Sequence, residues 1–163
     1  MKTIGTALAL MFVLAAALPA AAQYDTKPAK QERVKFDPKR DPAKDLTAAI
    51  KKATKENKRI ILDVGGEWCG WCKKLDQFFI DEKPVAEALK KNFIVVKVNY
   101  SEENKNEALL GVFPKITGYP HFFVLEKDGR FLHSQDTVLL EEGSGYNKDK
   151  MLEFLTKWSP PKI

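Results

Sequence analysis

The sequence predicts an α/β domain in which a central mixed β-sheet is flanked by helices. Three observations lead there: two apolar runs of strand type separated by helical sequence, two further runs joined through Asp128-Gly129, and amphipathic helical stretches before and after the set. With 163 residues, the chain has room for one domain with its own core and too little for two.

Taken in order, Asp41 is placed to cap a helix that carries Pro42 at its first position, and Leu46, Ala49, Ile50 and Ala53 then fall on one helical face. Residues 59–64, RIILDV, form a short apolar run, and residues 93–98, FIVVKV, form another. Between them lie helical stretches over about residues 72–81 and 84–91. Strand, helix and strand in that order imply a parallel crossover. Residues 121–125 and 130–134 are joined through Lys127-Asp128-Gly129, where Asp-Gly is expected to supply the positive φ angles of a tight hairpin. Asn147 or Asp149 is placed to cap a last helix with Met151, Leu152, Phe154, Leu155 and Trp158 on one face, stopped by Pro160-Pro161. The segment 135–146 is longer than a plain strand-to-helix link, and its Gly143-Ser144-Gly145 reads as flexible.

Ahead of this domain, at residues 42–163, come two segments of other character. In residues 1–22 a single Lys2 precedes an apolar run from Ala7 to Leu18, followed by Pro19 and Ala20-Ala21-Ala22. That pattern is a secretory signal peptide, with Ala20 and Ala22 suiting cleavage after Ala22. The apolar run is shorter than the roughly 18 residues of a membrane span, so no transmembrane segment is expected after cleavage. Residues 23–41, rich in Lys, Asp and Pro and without periodicity, read as a mobile or surface-hugging N-terminal arm. A periplasmic or secreted location and a monomeric state are the expectation.

Charge narrows the function further. The 27 Lys and Arg against 22 Asp and Glu give a net charge of +5, interspersed along the chain. So weak and mixed an excess does not indicate nucleic-acid binding, and Phe78, Phe79, Phe122 and Phe123 sit in apolar runs instead of between basic residues.

Chemistry concentrates in Trp68-Cys69-Gly70-Trp71-Cys72, just after the first strand and opening a helix whose core face is Cys72, Leu75, Phe78 and Phe79. In an exported protein the only two cysteines would ordinarily form a structural disulfide. A bridge closing so short a loop removes little entropy from the unfolded chain, which favours chemistry over stapling. At a helix N-terminus the unpaired N–H groups and the dipole favour a thiolate, so the Cys69 pKa is expected to fall from about 8.5 into the band of roughly 3.5–7.5. Cys69 is thus the expected nucleophile, its sulfur open to incoming disulfides, and Cys72, one turn deeper, the resolving thiol. Zinc is the competing use of such a pair, but only His121 and His133 remain as soft ligands, so no metal and no cofactor is expected.

At this point residues 45–158 resemble the thioredoxin superfamily, through ILDVGGEWCGWCKKL, VVKVN and TGYP ahead of HFFVL. The resemblance implies a thioredoxin-like fold, a buried acid at Asp63, a lysine approaching it at Lys97 and a cis-proline at Pro120, with the backbone of Tyr119 beside Cys69 able to pair with an extended substrate. Asp63 also stands out alone as a charge in an apolar strand. It is either a buried acid of raised pKa that takes the proton of Cys72 through water or a solvent-facing residue at the strand end. Lys97, between two valines, has the same ambiguity. Trp68, Gly70 and Trp71 are the expected substrate contacts, the two indoles forming an apolar rim unless they simply pack beside the helix start.

The dipeptide Gly70-Trp71 departs from the Gly-Pro of reducing thioredoxins and the X-His of strongly oxidising relatives. Trp cannot carry the charge by which His stabilises a neighbouring thiolate, which inclines the couple toward a reductant or an intermediate potential. The expected function is therefore thiol–disulfide exchange with protein or small-molecule disulfides and thiols, a reductive role in an oxidising compartment requiring a membrane electron donor. A non-catalytic thioredoxin-like binding module and, more distantly, a metal-delivery protein are the alternatives.

Overall fold

The computed structural model describes residues 32–161. The expected signal peptide and residues 23–31 of the arm lie outside the described residues. The first helix, α1 (Pro42–Glu56), is capped by the Asp41 carboxylate, which accepts from the N–H groups of Ala43 and Lys44. It ends on Asn57 in the left-handed conformation. Strand β1 (Arg59–Gly65) leads into α2 (Gly70–Asp81) and α3 (Lys83–Asn92), which return the chain to β2 (Phe93–Asn99). A short α4 (Glu107–Leu110) precedes β3 (His121–Leu125), β4 (Phe131–Asp136) and the final α5 (Lys148–Lys157), capped by Asn147.

The sheet runs in the order β2-β1-β3-β4, with β1 and β2 parallel and the other pairs antiparallel. Helices cover both faces, which is why β1 is apolar almost throughout instead of alternating. Ile60, Leu62 and Val64 point to one side, onto Ala49 and Ala53 of α1. Ile61 points to the other, into a core with Leu75 of α2, Val85 of α3 and Met151 of α5. Asp63 and Gly65 follow Ile61 on that second face by the two-residue strand repeat. The fold class is the one the sequence predicts.

Two local expectations are corrected. In the β3–β4 hairpin only Gly129, at φ 90°, is left-handed, so the turn over residues 126–129 is closed by the Gly129 N–H donating to the Glu126 carbonyl at 2.9 Å. A single positive φ after a four-residue turn produces a bulge, and the register shifts between Val124 and Leu125. Segment 135–146, expected to be a long link flexible at Gly143-Ser144-Gly145, is folded. The Asp136 carboxylate accepts from the Val138 N–H and starts a 3-10 turn, Thr137–Leu140. A small hairpin follows, β5 (Glu141–Glu142) with β6 (Gly145–Tyr146) around Gly143 at φ 57°. Among the described residues no helix is long and apolar enough to cross a membrane.

Candidate active site

Cys69 is the N-cap of α2: its Sγ accepts a hydrogen bond from the Cys72 N–H at 3.0 Å, using one of the N–H groups a helix start leaves unpaired. The two sulfurs are joined as a disulfide. The expectation of an open Cys69 sulfur is corrected, because in this oxidised form Cys69 is only 4% exposed and Cys72 is fully buried. Their cover is apolar. Phe36 of the arm forms one buried cluster with the two cysteines, and Trp71 and Tyr119 pack against it.

Beneath the pair lies a charge cluster. Parallel pairing of β1 and β2 sets Asp63 beside Lys97, and the ammonium stands 2.8 Å from Asp63 Oδ2. Asp63 is fully buried, and among the described residues its carboxylate has no close polar partner besides the Lys97 ammonium. Burial therefore pushes its pKa up, the Lys97 charge pulls against that, and the net direction is upward. Burial alone would lower the Lys97 pKa, but Asp63 and Asp76 together leave it raised. Gly65, one strand repeat beyond Asp63 on the same face, shows where Cys72 sits: a Cβ there would lie 2.5 Å from Cys72 Sγ. The acid is thus about 7 Å along the strand from a point in contact with the buried sulfur.

Around the rim, Trp68 is 59% exposed, donates its Nε1–H to the Tyr100 carbonyl at 2.6 Å and meets Tyr119 edge-on. Trp71 meets Tyr146 of β6 edge-on, with the Lys74 ammonium 4.3 Å from its ring centre. The folded segment after β4 therefore reaches the dipeptide between the cysteines. Gly70 has nothing within 4 Å of where a side chain would begin. The Tyr119–Pro120 bond is cis, and the Pro120 carbonyl accepts from the Thr137 hydroxyl at 2.6 Å. Burial beside Tyr100 pushes the Tyr119 hydroxyl up to about 12. His121 hydrogen-bonds Ser134 at 2.8 Å, and His133 stacks on Trp158 at 4.4 Å.

Sequence reasoning missed four residues of this site. Asp76 of α2 is buried and ion-paired to Lys97 and to Arg33, at 3.0 Å in the second case. Its signal was available: it follows Cys72 by four residues and so shares its helix face. Arg33 also donates to Glu67 at 2.8 Å, and its hydrogen bonds hold the Glu67 pKa down to about 2. Phe36 is buried in the site although it lies in a charged, aperiodic stretch.

A sequence model described as thioredoxin-like matches residues 41–127. Mouse spermatogenesis-associated protein 20 is 33% identical over 69 residues, 42% of this chain but only 9% of that protein. Among solved structures, a disulphide isomerase from Xylella fastidiosa Temecula1 superposes with a TM-score of 0.65 at 23% identity, over 75% of this chain and 94% of that one. The oxidised C-terminal domain of DsbD from Neisseria meningitidis gives 0.55 at 22% identity, over 77% and 99%.

Proposed function

Since the chain belongs to the thioredoxin-like family, we propose that it is a thiol–disulfide oxidoreductase working through the Cys69–Cys72 couple. The observation that carries this reading is the fully buried Asp63 carboxylate, held only by the Lys97 ammonium among the described residues, on the strand face that meets the Cys72 sulfur. A desolvated acid beside a redox-capable pair has little structural use and a clear chemical one.

In the reductive direction the Cys69 thiolate, favoured at the start of α2, attacks one sulfur of a partner disulfide. A Cys69–partner bond forms, and the other partner sulfur leaves as thiolate. Cys72 passes its proton through water to Asp63 and attacks the Cys69 sulfur, which closes the intramolecular disulfide and expels the second partner thiolate. Two electrons have moved to the partner, and Asp63 returns its proton to solvent or product. Trp68, Trp71 and the Tyr119 backbone frame the approach of the partner segment, and Lys97 and Pro120 position the acid and the pair.

Without a charged group between its cysteines, the couple is assigned a reducing or intermediate potential. The N-terminal pattern supports export to a periplasmic or secreted location with residues 1–22 removed, where the protein works as a monomer recharged by a membrane electron donor. Equilibration with glutathione buffers tests the assignment. A potential near or below about −230 mV together with reduction of insulin disulfides supports a reductant, one near about −120 mV reverses the direction, and cysteines that do not exchange refute the function.

A further inference from the structure

The N-terminal arm enters the redox site at a place where β1 has no side chain to offer. A Cβ on Gly65 would lie 2.5 Å from Cys72 Sγ and 3.0 Å from Phe36 Cζ, so the aromatic ring and the sulfur together occupy the slot that glycine leaves. Phe36 is 2% exposed, and the Lys97 ammonium lies 4.1 Å from its ring centre, which places the ring between the charge cluster and the disulfide.

The arm is fastened on both sides of that ring. Arg33 donates to Glu67, two residues before Cys69, and to Asp76 of α2. The Phe36 N–H donates to Glu67 Oε1 at 2.9 Å, and Asn104 donates to the Pro38 carbonyl at 2.8 Å. Packing alone would need none of these. Three of the four tie the arm to the loop and helix that carry the cysteines.

We propose that Phe36 is a positioning residue of the redox couple, delivered by the arm and latched by Arg33, which fills the slot beside Gly65 and keeps the Cys72 sulfur away from solvent. Its effect is to reserve Cys72 for the mixed disulfide on Cys69 and to deny it to external thiols and disulfides. A sulfur admitted to water would ionise more readily and react with whatever reached it. The inference rests on the reading of Cys69 and Cys72 as a working couple.

The test places Phe36→Ala, Phe36→Leu and Arg33→Gln in a Cys69→Ser background, where Cys72 is the sole thiol, and follows its alkylation by iodoacetamide. Phe36→Ala is expected to speed alkylation at least severalfold, Phe36→Leu to restore protection, and Arg33→Gln to give an intermediate rate. In the two-cysteine protein, Phe36→Ala should also move the glutathione equilibrium toward the dithiol, and Phe36→Leu should return it. Equal alkylation rates across the set, with native circular dichroism, overturn the proposal. Should Phe36→Ala fail to fold, the half-buried Arg33→Gln decides: a wild-type rate refutes the latch and the positioning it serves. Failure of the wild-type couple to exchange with glutathione would instead strike the proposed function, while the alkylation series would still report on Phe36.

Discussion

Replacing Asp63 with asparagine should make the oxidised protein more stable at neutral pH, although it removes one half of an ion pair. The carboxylate is fully buried, with the Lys97 ammonium at 2.8 Å, and its pKa in the fold lies above the ordinary value of 3.8. Below 3.8 the group is neutral in both the folded and the unfolded chain and costs nothing. As pH rises through the folded-state pKa, the native protein must carry in its interior a charge that the unfolded chain holds in water, and stability is lost. Each unit of elevation is worth about 1.4 kcal/mol at pH values above both constants. For a domain of this size, 1 kcal/mol corresponds to about 2–4 °C in melting temperature. Asparagine keeps the shape and removes the titration, and Lys97 still has Asp76 as its partner. Thermal unfolding followed by circular dichroism from pH 4 to pH 8 should show a gap of several degrees in favour of Asp63→Asn at pH 7–8 that closes toward pH 4. A variant less stable than wild type at pH 7, or a gap that does not change with pH, would refute the assignment of Asp63 as a destabilised acid.

The same substitution should slow release of a mixed disulfide far more than its formation, since only resolution requires the Cys72 proton to be taken; stopped-flow traces that show equal losses in both steps would contradict that. Lys97→Met strips Asp63 of its only close cation among the described residues and should cost about 3–5 kcal/mol at neutral pH, with the loss shrinking in acid as Asp63 takes up a proton. Denaturant titrations at two pH values measure it. Gly65→Ala drives a methyl to within 2.5 Å of Cys72 Sγ and should cost about 1–3 kcal/mol by overpacking, so an unchanged melting temperature would show that the slot is not filled as described.

The residues that announced the elements did so through local chemistry. Asp41-Pro42 starts α1, the RIILDV run forms β1 and the five-residue apolar face of the last helix packs as α5. These signals act within one turn or one strand repeat, and a single sequence displays them. The folded segment after β4 was not legible, because its order comes from one Asp136 cap, a Thr137 bond to Pro120 and the docking of Tyr146 on Trp71, none of them periodic. Asp63 and the cysteines were legible as anomalies: a charge in an apolar strand and a pair too close to serve as a staple. Phe36 and Arg33 were not, since an arm without periodicity conceals which of its residues meet the domain. Gly65 beside a buried sulfur was the complementary half of that signal.

Trapping of partners shows which cysteine attacks and which resolves. Cys69 caps α2 and takes the Cys72 N–H, while Cys72 lies wholly buried behind it. Cys72→Ser should therefore complete the first exchange and stall, and the protein purified from its own compartment should carry disulfide-linked partners that dithiothreitol releases. Cys69→Ser should carry none. Partners trapped by Cys69→Ser, with Cys72→Ser emerging clean, would contradict the account and reverse the two roles.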